Sequence, residues 1–118
     1  MWQVEFYELP DETQPVQEFL DSLDAKRRAK SLRDIGVLSE FGNTLREPYT
    51  KNLEDGVFEL RTILGTDVSR IFFFFFVGRR IILTHGCTKK SNNTPPGEIE
   101  RAKKYKADFE RRAQHDKL

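Results

Sequence analysis

A chain of 118 residues suffices for one domain, and contents of 37% hydrophobic and 33% charged residues predict one core under a highly charged surface. The longest apolar run, Ile71 to Val77, is too short for a membrane helix, and the N-terminus lacks the basic and apolar segments of a secretory signal. The single cysteine, Cys87, excludes an internal disulfide, so we expect a cytoplasmic protein.

The net charge of +1 conceals an asymmetry along the chain. Residues 1–60 contain 7 Lys and Arg against 13 Asp and Glu, whereas residues 61–118 contain 13 against 6. A basic half in a nearly neutral protein predicts one positive face that suits a phosphate backbone. A solvated basic helix explains the same charges equally well.

The N-terminal part of the chain predicts a strand followed by two helices. Residues 2–7 alternate apolar and polar side chains, which is typical of a half-buried strand. A short helix then has Pro15 in its first turn, and Asp24 caps a longer helix that ends at Gly42. Helical spacing assigns the buried stripe of the longer helix to six residues, namely Ala25, Ala29, Leu32, Ile35, Leu38 and Phe41.

The second half predicts a loop, three strands and a helix. Residues 43–56 form the loop, and the strands follow at 57–64, 69–77 and 81–88 with short turns between them, which is typical of an antiparallel meander. A third helix begins at Pro95 and runs to Arg112, and residues 113–118 form a tail. This order predicts a single α+β domain over residues 1–118. Its helices pack on one face of an antiparallel sheet, and the other face stays open for a site.

Several motifs resemble the RelE/HigB toxin superfamily. The stretch Lys51-x-Leu53-x-Asp55-Gly56-Val57-Phe58-Glu59-Leu60-Arg61 and the segment Arg70-Ile71-Phe72-Phe73 resemble the central sheet of that family. The segment from Leu83 to Lys90, with Thr94-Pro95 and Glu98-Ile99-x-x-Ala102 after it, is similar to the family's last strand, basic pair and closing helix. The resemblance is to the HigB-like, phage-derived branch in particular. It covers residues 2–112 and implies a RelE-like fold.

This resemblance implies the toxin of a type II toxin–antitoxin system that cleaves mRNA, in several relatives while the mRNA occupies the ribosomal A site. The implied reaction uses no metal or other cofactor: the 2′-hydroxyl attacks the phosphorus and the 5′-oxygen leaves. The site must therefore accept a proton, stabilise the phosphate charge and protonate the leaving group. The implied partners are mRNA, the ribosome and a cognate helix-turn-helix antitoxin, with operator DNA bound only through the antitoxin complex and no membrane involved.

Two arginines are the first candidates for phosphate binding. Alternation along the strand places Arg61 opposite Phe58 and Leu60 and hence on the open face, and Arg70 approaches it across a hairpin. Guanidinium groups bind phosphate in pairs, and the resemblance supports this role for both residues. The alternative is that Arg61 pairs with the neighbouring strand and Arg70 with Asp67.

The end of the last strand supplies the remaining catalytic candidates. The resemblance places basic residues here. Alternation puts Lys89 on the face of Leu83, His85 and Cys87, which makes Lys90 the second choice; an ordinary basic strand end is the alternative. His85 suits proton transfer, although a strand histidine is more often a structural hydrogen-bonding residue. The tyrosine that many relatives carry after the basic pair is replaced by the stretch Ser91–Thr94, so the general base is unassigned.

The RNA-binding surface is assigned to Lys51, Phe72, Lys103 and Lys104. Alternation divides the run from Phe72 to Phe76 between the two faces of its strand. Phenylalanines on the face of Arg70 can stack on RNA bases, or they can be covered by an antitoxin or by the C-terminal helix. The lysines of the last helix suit an RNA backbone and a solvated helix face equally well.

No metal site is expected. His85 and Cys87 share a strand face, but zinc needs three or four ligands, and Cys87 is better explained as a small buried hydrophobic residue. The leading hypothesis is therefore a metal-independent endoribonuclease toxin. The alternative is a non-catalytic member of the same fold that binds RNA or a protein partner through its basic face.

Overall fold

The computed structural model describes residues 1–89 and 93–116, in which five strands, three α-helices and one 3₁₀ turn are formed. They are, in chain order, β1 (Gln3–Phe6), α1 (Pro15–Ser22), α2 (Ala25–Phe41), the 3₁₀ turn (Gly42–Thr44), β2 (Thr50–Asn52), β3 (Phe58–Leu64), β4 (Asp67–Phe76), β5 (Arg80–Lys89) and α3 (Pro96–Asp116). The strand order in the sheet is β1-β5-β4-β3-β2, with β1 parallel to β5 and the other pairs antiparallel. The predicted single α+β domain is confirmed, but its sheet is mostly and not wholly antiparallel, because β1 pairs with β5 in parallel. Within these described ranges no helix combines the length and apolarity that crossing a bilayer requires.

Local signals in the sequence explain the start and end of α2. The carboxylate of Asp24 accepts a hydrogen bond from the backbone N–H of Arg27 at 2.8 Å, as a helix N-cap does. At the other end Gly42 has a φ of 54°, and a Cβ atom there would lie 1.9 Å from Nε1 of Trp2. Only glycine therefore fits this helix end.

The predicted buried stripe of α2 is confirmed at Leu38, which is fully buried, and at Ile35, which packs against the core. It was wrong at its four other positions, which are exposed, namely Ala25, Ala29, Leu32 and Phe41. Leu32 and Phe41 are 49% and 48% exposed, whereas the buried residues are Ser31, Asp34 and Leu38. The buried carboxylate of Asp34 accepts a hydrogen bond from the Thr62 hydroxyl at 2.8 Å. Because β3 supplies this polar partner, a carboxylate is tolerated on the buried side of α2.

The three central strands agree with the predicted meander to within two residues at each end. The stretch predicted as a loop contains the short edge strand β2, which pairs with Phe58–Leu60 of β3. The third helix extends to Asp116, beyond the predicted end at Arg112, so residues 113–116 are helical. These differences leave the element order unchanged.

The prediction that all helices pack on one face of the sheet was wrong. Ile71, Phe73 and Phe75 of β4 pack with α1 and α2, whereas Phe72, Phe74 and Phe76 pack on the side of α3. Alternation had predicted this division of the phenylalanines. Since both faces of β4 are apolar, both need a helical cover, and α3 supplies the second one.

A polar network fixes α3 against the sheet edge near β1. The Tyr7 hydroxyl donates to Oδ2 of Asp108 at 2.6 Å, and Nε of Arg112 donates to the same oxygen at 2.9 Å. Burial raises the pKa of Tyr7 to about 12, and the hydrogen bond to Asp108 adds to the shift. Phe109 contacts the rings of Phe74 and Phe76 edge-on at centroid distances of 5.6 and 5.1 Å. Together these contacts determine where α3 crosses the sheet.

Candidate active site

The basic residues that the sequence singled out lie on the sheet face crossed by α3. In the β3–β4 pairing Arg61 lies directly opposite Arg70, and in the β4–β5 pairing Arg70 lies opposite Cys87. Lys89 lies on the same face and diagonal to Arg70, which corresponds to a separation of roughly 7–8 Å. The prediction that these three cations share one face is confirmed. Leu83, which alternation placed on this face, lies on the opposite one, because the pairing of β4 with β5 shifts register between His85 and Leu83.

A buried carboxylate, Glu59, lies between the two arginines. Its Oε2 atom is 3.1 Å from Nε of Arg70 and 3.5 Å from Nε of Arg61. Its Oε1 atom accepts a hydrogen bond from the Thr94 hydroxyl. The sequence had allowed Asp67 as a partner of Arg70, but Asp67 pairs with Arg27 of α2 instead. A buried carboxylate needs paired and hydrogen-bonded surroundings, and Glu59 has them.

The three cations differ in their access to solvent. The side chain of Arg70 is 0% exposed and that of Arg61 is 16% exposed, whereas Lys89 lies at the surface. The face that was expected to be open is therefore largely covered by α3 and the segment before it. Lys89 and, to a small extent, Arg61 reach solvent, whereas Arg70 does not.

His85 lies inside the protein and not at the surface. Its ring stacks on Phe72 at a centroid distance of 4.7 Å, and burial lowers its pKa to about 3, with a further contribution from the charge of Arg101. The Thr84 hydroxyl donates to the carbonyl of Phe72 and lies 3.1 Å from Nδ1 of His85, so we assign the ring proton to Nδ1. Nε2 is 3.9 Å from Glu98, too far for a hydrogen bond. A buried neutral imidazole of this kind is unsuited to proton transfer near pH 7.

The residues predicted to bind RNA do not form one surface. Phe72 is 0% exposed, so the prediction that it lies on an open face beside RNA was wrong. Lys51 is exposed on β2 opposite Glu59, and Lys104 is exposed on α3. Lys103 is held by carboxylates, of which Glu54 is 2.8 Å away, and their hydrogen bonds raise its pKa. Lys90, the second-choice catalytic lysine, lies outside the described residues.

Cys87 behaves as a small, half-buried side chain. Burial, together with the neighbouring Glu98, raises its pKa to about 11. Such a thiol is a poor nucleophile. Across residues 1–89 and 93–116 the side chains form no group of three or more His, Cys, Asp or Glu positioned to hold a metal ion.

The sequence interpretation missed Glu59 and Thr94 as members of the site. Glu59 precedes Arg61 by two residues on one strand, so alternation predicts that the two side chains are neighbours on the same face. Thr94 had been considered only as a replacement for the absent tyrosine. Its contact with Glu59 depends on where the chain enters α3, which no local pattern specifies.

Residues 18–107 match the family model described as phage derived protein Gp49-like (DUF891). The matched range begins in α1, ends within α3 and includes Glu59, Arg61, Arg70 and Lys89. The chain belongs to the Gp49-like family. This family is linked to toxin–antitoxin toxins of the RelE/HigB kind, which makes this Gp49-like protein toxin-like. No curated protein matches the chain.

A cavity of about 730 Å³ opens on the opposite side of the sheet of this Gp49-like protein. Phe58, Phe73 and Phe75 line it together with the stretch around Arg46. These rings belong to the face that packs with α1 and α2, so the cavity is separated from Arg61 and Arg70 by the sheet. It is not part of the cationic site.

Proposed function

We propose that this chain is the toxin of a type II toxin–antitoxin pair, of the RelE/HigB kind, and that it inhibits translation as a metal-independent endoribonuclease on mRNA. The observation that carries the proposal is the cation group Arg61, Arg70 and Lys89 on one sheet face. Grouped cations stabilise the negative charge that builds up on a phosphate during attack by the neighbouring 2′-hydroxyl. The link of the family to such toxins supports the same reaction.

The exposure of each residue suggests its role. Arg61 lines the accessible edge of the cluster and binds a non-bridging phosphate oxygen. Lys89, which is exposed at the strand end, protonates the departing 5′-oxygen, with Lys90 as the second candidate for this role. Arg70 acts from beneath by holding Glu59, which in turn contacts Arg61. We assign no proton transfer to His85 because its pKa lies far below neutrality.

The partners follow from the same proposal. mRNA on the ribosome is the substrate, and the exposed Lys51 and Lys104 contribute contacts to its backbone, which are electrostatic and independent of sequence. A cognate antitoxin of the helix-turn-helix kind neutralises the toxin and connects it to operator DNA. Lys103 is a weaker candidate for RNA contact because acidic side chains already surround it.

One observation favours a second function, a non-catalytic member that binds RNA or a protein partner. Arg70 and Glu59 form a fully buried ion pair, and such pairs also occur where they serve only the fold. The two functions differ in one measurable outcome. The non-catalytic protein binds RNA and leaves it intact, whereas the toxin cuts it.

The test compares two site variants with two matched controls. Arg61→Ala and Lys89→Ala should abolish growth arrest after induction without antitoxin and lower RNA cleavage by at least about 100-fold, as loss of a transition-state contact does. Arg33→Ala and Lys26→Ala remove exposed cations from α2 on the opposite face and should remain fully toxic. Normal growth of cells that accumulate folded wild-type protein would contradict the toxin assignment.

The product ends test the reaction itself. Attack by the 2′-hydroxyl leaves a 2′,3′-cyclic phosphate, or the 3′-phosphate formed from it, and a 5′-hydroxyl. A 2′-deoxyribose at the cleavage site should stop the reaction and preserve binding. A 5′-phosphate on the downstream fragment would contradict the mechanism. RNA that is bound but left intact by the wild type would favour the non-catalytic function.

A further inference from the structure

Cleavage by the 2′-hydroxyl needs a group that accepts its proton, and the cations of the site do not supply one. His85 is excluded because its imidazole is buried and its pKa is lowered to about 3. Glu98 is turned toward His85, Cys87 and Arg101. Among the described carboxylates, Glu59 is the one that contacts Arg61, the accessible arginine of the cluster.

The two oxygens of Glu59 have different surroundings. Both guanidinium groups approach Oε2 through their Nε atoms, at 3.1 Å from Arg70 and 3.5 Å from Arg61. The Oε1 atom is bonded to the hydroxyl of Thr94, a half-buried residue two positions before the start of α3. Arginine and a carboxylate often form bidentate pairs that occupy both carboxylate oxygens. Here one oxygen is held by cations, while the other is bonded to an alcohol.

Resting on the proposed endoribonuclease function, we propose that Glu59 is the general base of the reaction. The ribose 2′-hydroxyl is also an alcohol, and it takes the place of the Thr94 hydroxyl at Oε1 when RNA binds. Displacement of one half-buried threonine side chain opens this oxygen to the substrate. Arg61, which contacts the same carboxylate, then holds the phosphate next to the attacking oxygen.

Two proton transfers accompany the exchange of one bond at phosphorus. Oε1 of Glu59 takes the proton of the 2′-hydroxyl while the bond between the 2′-oxygen and phosphorus forms. The bond from phosphorus to the 5′-oxygen breaks, and that oxygen takes a proton from the ammonium group of Lys89. Afterwards water removes the proton from Glu59 and returns one to Lys89. No oxidant, reductant or co-reactant other than water is needed.

The experiment separates the chemical step from binding. Single-turnover cleavage of a ribosome-bound mRNA is measured for the wild type and for Glu59→Gln, which retains the shape of the side chain and loses its basicity. We expect the rate to fall by about 100- to 10,000-fold, the contribution typical of general base catalysis. The affinity for the same RNA with 2′-deoxyribose at the cleavage site should change less than about threefold. Asp34→Asn is the matched control, since it removes a buried carboxylate on the opposite face and should leave the rate near that of the wild type.

A second variant keeps the proposal testable if Glu59→Gln does not fold. Thr94→Ala leaves both arginine contacts of Glu59 in place and frees Oε1, so it should cleave at least as fast as the wild type. A loss of more than about tenfold in folded Thr94→Ala would overturn the proposal. So would a folded Glu59→Gln protein that cleaves within about fivefold of the wild type, or one that loses deoxy-RNA affinity in proportion to its rate. A wild type that never cleaves RNA would overturn the proposed function together with this inference, whereas an active Glu59→Gln overturns the inference alone.

Discussion

Arg70→Ala should strongly lower the free energy of unfolding, because it removes one partner of a buried ion pair. The Arg70 and Glu59 side chains are 0% and 1% exposed and 3.1 Å apart. Leaving one buried charge without its partner lowers the free energy of unfolding by about 3–5 kcal/mol. Arg61 remains 3.5 Å from Glu59, so we expect the lower end of this range, about 3 kcal/mol. That is a large fraction of the roughly 5–15 kcal/mol that stabilises an ordinary domain.

Equilibrium unfolding in urea, followed by circular dichroism, measures this loss directly. Arg61→Ala is the internal comparison. It should lower the free energy of unfolding by about 1 kcal/mol or less, because the contact between Arg61 and Glu59 is longer and partly exposed. The double variant Glu59→Leu with Arg70→Met should regain most of the stability, since replacing both partners by apolar groups is often neutral. An Arg70→Ala protein within about 1 kcal/mol of the wild type would refute the reasoning.

Three further predictions concern the surrounding fold. Because burial lowers the pKa of His85 to about 3, the unfolded chain takes up a proton below about pH 6.5 that the folded chain does not, so acid destabilises the protein. In urea titrations the free energy of unfolding of the wild type should fall by roughly 2 kcal/mol between pH 7 and pH 5, and that of His85→Gln should not. An equal fall in both proteins would contradict this prediction. Asp108→Asn should lower the free energy of unfolding by about 1 kcal/mol and speed amide hydrogen exchange at the end of α3. Unchanged exchange would show that the polar network does not hold the helix. Gly86→Ala should lower the thermal midpoint, because its Cβ would lie 2.4 Å from the ring of Phe19; Gly36→Ala, with nothing within 4 Å, should not.

The sequence predicted those parts of the fold that depend on local pattern. Strand alternation correctly divided Phe72–Phe76 between two faces, and Asp24 correctly marked the start of α2. Strand β2 was missed because three residues carry no periodicity of their own, and it forms only through its pairing with β3. The stripe of α2 was assigned correctly at Leu38 and missed Asp34, whose burial is possible because of the Thr62 hydroxyl, distant in sequence.

The sequence predicted which sheet face carries the site residues but not how far they are buried. Alternation placed Arg61, Arg70 and Lys89 on one face, which the strand register confirms. The burial of Arg70 depends on α3, and the location of α3 is fixed by long-range contacts such as the hydrogen bond between Tyr7 and Asp108. Helical periodicity identifies the apolar side of a helix but does not indicate which face of a sheet it will cover.

The burial of Arg70 changes how loss of toxicity should be interpreted. A substitution at Arg70 leaves Glu59 without its nearer cation, so loss of function there reflects lost stability as well as an altered site. Arg61 and Lys89 reach solvent, so their removal disturbs the fold far less. Toxicity lost in stable Arg61→Ala and Lys89→Ala proteins therefore assigns the site, whereas the same result at Arg70 does so only when the folded fraction is measured alongside it.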